Sequence, residues 1–182
     1  MNLTLRPATT ADIPALEELI RASVTALSTG HYTSAQVASA LAHVFGVDTQ
    51  LIADGTYFIA EIEGQLAGSG GWSKRTTLFG GDQSKTDRLD PLLDPAAEAA
   101  RIRAFYVHPR WSRRGVGSRI LTACEEAARV AGFSRIELVA TLPGEPLYTA
   151  RGYEKAEAMQ LKTPDGEALP AFRMTKSLCP LK

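Results

Sequence analysis

Val107-His108-Pro109-Arg110-Trp111-Ser112-Arg113-Arg114-Gly115-Val116-Gly117-Ser118 is the stretch from which the rest of the chain can be read. The residues leading into it, Arg101 to His108, read as a strand. Pro109 stops that strand because its ring removes a backbone donor. A basic turn follows, and Gly115 opens a helix with Gly117 in its first turn. Val116, Ile120, Cys124, Ala127 and Ala131 form the helix's apolar stripe, and Gly132 ends it. Ile136 to Ala140 is mostly apolar and reads as a central strand. Strand, turn, helix and strand over 101–140 make the two strands parallel, with a right-handed crossover between them.

Outward from this unit, the remaining elements read as hairpins and amphipathic helices. Leu3 to Arg6 alternates like a short strand. Thr9-Thr10-Ala11-Asp12 fits a capping box, and Pro14 lies early in the helix that follows over about 11–28. Ile13, Leu16, Ile20, Val24 and Leu27 give that helix its apolar face. After Gly30-His31-Tyr32 a second helix covers about 33–44. Thr56 to Glu61 and Gln65 to Lys74 are strands joined at Glu63-Gly64. A helical turn near Glu145 to Ala150 precedes a closing pair, Gly152 to Leu161 and Leu169 to Thr175. Arg75 to Ala97 is rich in Gly, Asp and Pro. A connection of that length is usually functional or mobile, and mobility is the expectation here. The fold class is α/β (α+β): a mixed, mostly antiparallel sheet with one parallel pair and helices on both faces. With no repeat or linker, residues 1–182 read as one domain.

Composition narrows the function. At 182 residues the chain should bury about 70% of its unfolded surface. Lys plus Arg is 20 and Asp plus Glu is 20, so the formal net charge is zero. That balance gives no reason to expect nucleic acid or an anionic membrane as partner. No apolar run is long enough to span a bilayer, and the first residues lack signal-peptide organisation. Two cysteines, Cys124 and Cys179, make neither a disulfide scaffold nor a metal site, so no metal is expected. Free thiols without an export signal point to the cytoplasm.

The quoted stretch has the makings of an anion cradle. Unpaired N–H groups at a helix start point outward, the helix dipole adds positive potential, and glycine lets a phosphate approach the main chain. Arg113 and Arg114 add mobile charge at the rim. A lone Gly-x-Gly also occurs at helix starts for packing reasons alone. It is not a P-loop, for no Gly-Lys-Ser/Thr follows, and it is not a dinucleotide fingerprint, for no third glycine does.

Here the chain resembles the GNAT superfamily of acetyltransferases, in its bacterial-type single-domain form. The family's acetyl-CoA motif is a strand ending Val-x-Pro, then Gln/Arg-x-x-Gly-x-Gly/Ala, then a helix. Val107-His108-Pro109 and Ser112-Arg113-Arg114-Gly115-Val116-Gly117 match it, with Ser112 where the family prefers Gln or Arg. A second motif, Tyr-x-x-x-Gly-Phe/Tyr, stands about thirty residues on as Tyr148-Thr149-Ala150-Arg151-Gly152-Tyr153. Upstream of it, Thr141 and Gly144 stand where the family often has Asn and Ala. The resemblance covers essentially the whole chain, most strongly 97–155.

What the resemblance implies is acetyl transfer from acetyl-CoA to an amine by direct attack in a ternary complex, with no metal. The parallel strands would splay and leave Phe105, Tyr106 and Val107 free for the pantetheine arm and the thioester oxygen. Ser112, Arg113, Arg114, Gly115, Val116, Gly117 and Ser118 would hold the pyrophosphate. Tyr148 would be the acid that protonates the departing thiolate, since a phenol with a pKa near 10 stays protonated at neutral pH. The general base stays open among Glu61, Glu98 and His31. Where the family often has a glutamate before Phe105, this chain has Arg101 and Arg103. The acceptor pocket would come from around Ser28 to Ser34 and Leu161 to Leu169.

Plainer readings stand beside these. His108 reads as a solvated turn residue, His43 as structural, Trp72 as core, Trp111 as a shield over the cradle, and Cys124 as inert on an apolar face. The expected acceptor is a small-molecule amine. Protein or peptide N-acetylation and a catalytically silent acetyl-CoA-binding module are the alternatives, and a homodimer is left open.

Overall fold

In the computed structural model, which describes residues 2–85 and 90–178, the chain runs β1 (Leu3–Pro7), α1 (Ile13–Leu27), α2 (Ser34–His43), α3 (Thr49–Ala53), β2 (Tyr57–Ile62), β3 (Gln65–Ser73), β4 (Ala100–Val107), α4 (Val116–Val130), β5 (Arg135–Thr141), α5 (Glu145–Ala150), β6 (Glu154–Lys162) and β7 (Ala168–Ser177). Cys179 lies outside the described residues. One sheet has the order β1-β2-β3-β4-β5-β7-β6. Every neighbouring pair is antiparallel except β4 and β5, which are parallel. The mixed sheet with helices on both faces is the fold class expected from the sequence. No helix among the described residues is long and apolar enough to cross a membrane.

The helices form for the reasons their sequences give. Thr9 and Asp12 make the capping box, with Thr9 N–H donating to the Asp12 carboxylate at 2.8 Å. α1 then buries Leu16, Leu19, Ile20 and Val24. α4 buries Val116, Ile120, Leu121, Cys124 and Ala128. Ala131, expected on that stripe, is exposed because the helix ends at Val130 and Ala131 is its C-cap. α3 is a helix that no periodicity announces: it has five residues, with Asp48 accepting from Leu51 N–H at its start.

The sheet divides the core. On the α4 face lie Trp72, Ile102, Ile136 and Leu138, with Trp72 edge-on to Phe133 at 6.1 Å. On the α1 face lie Leu51, Tyr57 and Ile59. A third cluster beneath α2 joins Tyr32, Ala40, Leu161, Leu169 and Ala171. The Tyr32 hydroxyl donates to Pro170 O at 2.7 Å and accepts from Leu142 N–H at 2.8 Å, pinning the α1–α2 connection to β5 and β7.

The described parts of 75–97 are anchored, against the expectation of mobility. Arg75 pairs with Asp54 at 2.7 Å, and Leu93 N–H donates to Lys74 O at 2.8 Å. Gly81 and Asp82 N–H donate to Val44 O and Val47 O at 2.8 and 2.9 Å. The backbone donors of this excursion find acceptors on its own returning limb and on the α2–α3 connection, which holds Phe79-Gly80 against the site described next.

Candidate functional site

β4 and β5 share only two register pairs, Ala100 with Ile136 and Arg101 with Glu137. Beyond them the strands part, so Ile102 to Val107 have no β5 partner, and a cavity of about 490 Å³ opens in the gap. Its walls include Phe105, Tyr106 and Val107 of β4, Val139 and Thr141 of β5, the turn and first residues of α4, and Tyr148. Of the eleven residues expected at the site, ten line this cavity: Phe105, Tyr106, Val107, Ser112, Arg113, Gly115, Val116, Gly117, Ser118 and Tyr148. Arg114 does not. Its guanidinium lies over the Trp111 ring at 5.4 Å, as that of Arg110 does at 5.0 Å.

A bulge shapes the β4 wall. Gly71 pairs with Arg103 and Ser69 with Tyr106, so Ala104 and Phe105 together oppose Gly70. Ala104 sits at φ 49°, an uncommon conformation for a residue with a Cβ. The extra residue re-aims the side chains that follow. Phe105 packs with the α4-face core and Tyr106 with the α1-face core. Gly70 is needed for this: a Cβ there would lie 2.4 Å from the Phe105 ring.

At the turn, Arg113 (φ 61°) and Gly115 (φ 83°) both adopt the left-handed conformation. Such turns gather N–H groups into a concavity that attracts anions. Arg113 holding this conformation is strain of the kind that collects at functional sites. α4 has no side-chain N-cap, and Arg119 N–H is the donor to Gly115 O. The N–H groups of Val116, Gly117 and Ser118 therefore have no intrahelical acceptor. The two glycines do different work. A Cβ on Gly115 meets nothing within 4 Å, so its φ is the constraint; a Cβ on Gly117 would lie 2.9 Å from Leu147 Cδ2, so close approach of α4 and α5 is the constraint. These features fit a phosphate-bearing ligand with an extended arm along the open edge of β4.

Tyr148 is buried with its ring edge-on to Phe105 at 6.0 Å and to Tyr153 at 5.7 Å. Burial pushes its hydroxyl above the usual phenol range, with a smaller contribution from Cys124. The phenol is thus a proton donor at any ordinary pH. Cys124 is fully buried, and burial raises its thiol likewise, which keeps it unreactive.

The three candidate bases are elsewhere. Glu61 accepts from the Arg6 guanidinium at 2.9 Å, Glu98 accepts from Asp94 N–H at 2.8 Å, and His31 is exposed. None of them lines the cavity. Nor do Leu161 and Leu169, whose side chains fill the core under α2. His43 pairs with Asp165 at 3.5 Å, and His108 Nδ1 accepts from Arg110 N–H at 3.2 Å, both in structural roles.

The far end of the cavity holds residues that no motif flags. Val24 and Leu27 of α1, Phe45, Phe79 and Ala104 surround it, with Ser23 and Ser28 as hydroxyl handles. Arg103 contributes to the same wall, yet its side chain is fully buried, 2.5 Å from Asp48 and 3.7 Å from Asp90. Asp48 also pairs with Lys85. In the sequence, only the lone aromatic of a Gly- and Asp-rich segment could have drawn attention to Phe79, and contacts between segments distant in sequence decide the rest.

The model of the acetyltransferase (GNAT) family matches residues 25–153. No curated protein matches significantly. Among solved structures, a GCN5-related N-acetyltransferase from Rhodopseudomonas palustris is 24% identical, with TM-score 0.71 over 98% of this chain and 97% of its own. The yncA protein of Salmonella typhimurium, solved with acetyl-CoA as its cofactor, is 19% identical, with TM-score 0.64 over 100% and 97%. A ribosomal-protein-alanine N-acetyltransferase from Brucella melitensis is 20% identical, with TM-score 0.64 over 96% and 99%. At these identities the structural likeness speaks to fold.

Proposed function

The chain belongs to the acetyltransferase (GNAT) family, and from that premise we propose that it transfers the acetyl group of acetyl-CoA to the amine of a small-molecule acceptor. The observation that carries this reading is the parting of β4 and β5 above an uncapped helix start, with a buried phenol at the opening. When bound, acetyl-CoA supplies a thioester whose acyl carbon bonds to the amine nitrogen as its C–S bond breaks, while the thiolate gains a proton and the amine loses one.

The chain's own residues divide the remaining work. The N–H groups of Val116, Gly117 and Ser118, with the left-handed pair at Arg113 and Gly115, receive the pyrophosphate. Ser112 and Arg113 complete that wall. The open edge of β4 at Phe105, Tyr106 and Val107 takes the pantetheine arm, and a backbone donor there faces developing charge on the thioester oxygen. Tyr148 holds the proton for the thiolate; its burial keeps that proton in place. Cys124 is a free, buried thiol, in keeping with a cytoplasmic location.

The cavity volume of about 490 Å³, shared with the acyl donor, supports an acceptor of small-molecule size. The test is an acceptor screen at fixed acetyl-CoA, read by thiol release, comparing small amines with N-terminal and lysine-bearing peptides. A small amine should show the highest kcat/KM. A peptide about a hundredfold better than every small amine would overturn the small-molecule reading.

A further inference from the structure

The acceptor end of the cavity is mostly apolar, and the charges beside it belong to one buried cluster in which Arg103 Nε and Nη1 have no hydrogen-bond partner. Arg103, the cation in its wall, is fully shielded from solvent and paired with Asp48 and Asp90, with Nη2 also donating to Gly80 O at 3.3 Å. Lys85, nearby, pairs with Asp48 and Asp82. A substrate carboxylate or phosphate would have to enter a cluster that already holds three carboxylates, Asp48, Asp82 and Asp90, which oppose a further anion. Among the described residues no carboxylate lines the cavity to greet a second ammonium group.

What this end does offer is carbon. Val24, Leu27, Phe45 and Phe79 face it from three separate segments. Phe79 is 37% exposed, and it is held at this wall rather than folded into the core. Gly81 and Asp82 tie the backbone beyond it to Val44 and Val47, and the Asp82 carboxylate accepts from Thr49 N–H at 3.1 Å. An apolar ring kept at the wall of a cavity by fixed backbone is a surface made for a ligand. An amine entering such a place also loses water, which disfavours its ammonium form and delivers the neutral nucleophile that the reaction requires. The amine then attacks in its neutral form, and the proton its nitrogen must still shed as the amide forms passes to water, since Glu61, Glu98 and His31 do not line the cavity.

We propose that the acceptor is a primary amine carried on an uncharged aromatic body, seated against Phe45 and Phe79 with its nitrogen toward Tyr106 and the open edge of β4. The proposal rests on the acetyl-transfer reading above and names the substrate class for it. Ser23 and Ser28 supply hydroxyls for a polar substituent on that body.

The experiment compares 2-phenylethylamine with β-alanine and spermidine by thiol release at saturating acetyl-CoA, in the full chain and in Phe79→Ser. Calorimetry of 2-phenylethylamine against the protein with coenzyme A runs in parallel. The expected result is kcat/KM for 2-phenylethylamine about a hundredfold above both other amines. Phe79→Ser should lower it roughly tenfold while leaving the acetyl-CoA dissociation constant unchanged. Preference for β-alanine or spermidine, or a folded Phe79→Ser with unaltered kcat/KM, would overturn the acceptor class and leave acetyl transfer standing. Saturable binding of 2-phenylethylamine with no thiol released by any amine would instead overturn acetyl transfer, and the acceptor role with it.

Discussion

Gly70→Ala tests how the β4 bulge, the helix and the acid are held together. The new Cβ would stand 2.4 and 2.7 Å from Phe105 Cδ2 and Cε2, and 2.9 Å from Ile120 Cγ2. Carbon atoms in contact prefer about 3.5–4.0 Å, so the ring must retreat by roughly 1 Å. Ile120 is fully buried in the core and can yield little. Overpacking of this kind costs about 1–3 kcal/mol, offset by about 0.5–1 kcal/mol because alanine loses less backbone entropy in a strand. A net loss of roughly 1–2 kcal/mol follows, a fall in Tm of about 2–8 °C for a chain of this length. The ring that moves is the one set against Tyr148 at 6.0 Å, so kcat should fall as well, by about tenfold for a displaced acid.

Urea unfolding of four proteins decides it: wild type, Gly70→Ala, Phe105→Ala and the double variant. With the ring gone, Gly70→Ala should cost no more than about 0.5 kcal/mol, giving a coupling of at least about 0.5 kcal/mol between the two positions. An equal cost in both backgrounds would refute the assignment of Gly70 to the Phe105 ring. So would a Gly70→Ala variant with wild-type stability and kcat.

Tyr148→Phe should lower kcat about 10²-fold with acetyl-CoA affinity nearly unchanged, read by steady-state kinetics and calorimetry. Because burial raises the Tyr148 pKa, the wild-type kcat should not begin to fall until above the ordinary phenol value of about 10; an alkaline limb near pH 8 would contradict this. Gly117→Asp places a side chain against Leu147 at the helix start. It should weaken acetyl-CoA binding by several kcal/mol, on the order of an unpaired anion set in a phosphate site, and calorimetry on the folded variant checks it. Asp48→Asn leaves the fully buried Arg103 without its closest carboxylate, and should cost about 3–5 kcal/mol in urea unfolding.

Sequence by itself determined the elements whose cause is local. Pro109, Gly115 and Gly132 mark ends that backbone chemistry imposes wherever the chain goes, and the spacing from Ile13 to Leu27 makes one apolar helix face. The strand–turn–helix–strand order over 101–140 fixes a parallel pair, because only a crossover of one hand packs back onto the sheet. For the same reason the cradle was legible: a helix start and its glycines are contiguous in the chain. Only the tertiary structure decided the acceptor end. Val24, Phe45, Phe79 and Ala104 meet through contacts between distant segments, and their separate positions in the sequence carry no periodicity that links them. The bulge at Ala104 depends on the register against Gly70, which belongs to two strands at once. The difference between Arg113, which lines the cavity, and Arg114, which stacks on Trp111, depends on a left-handed turn that adjacent, identical side chains cannot announce.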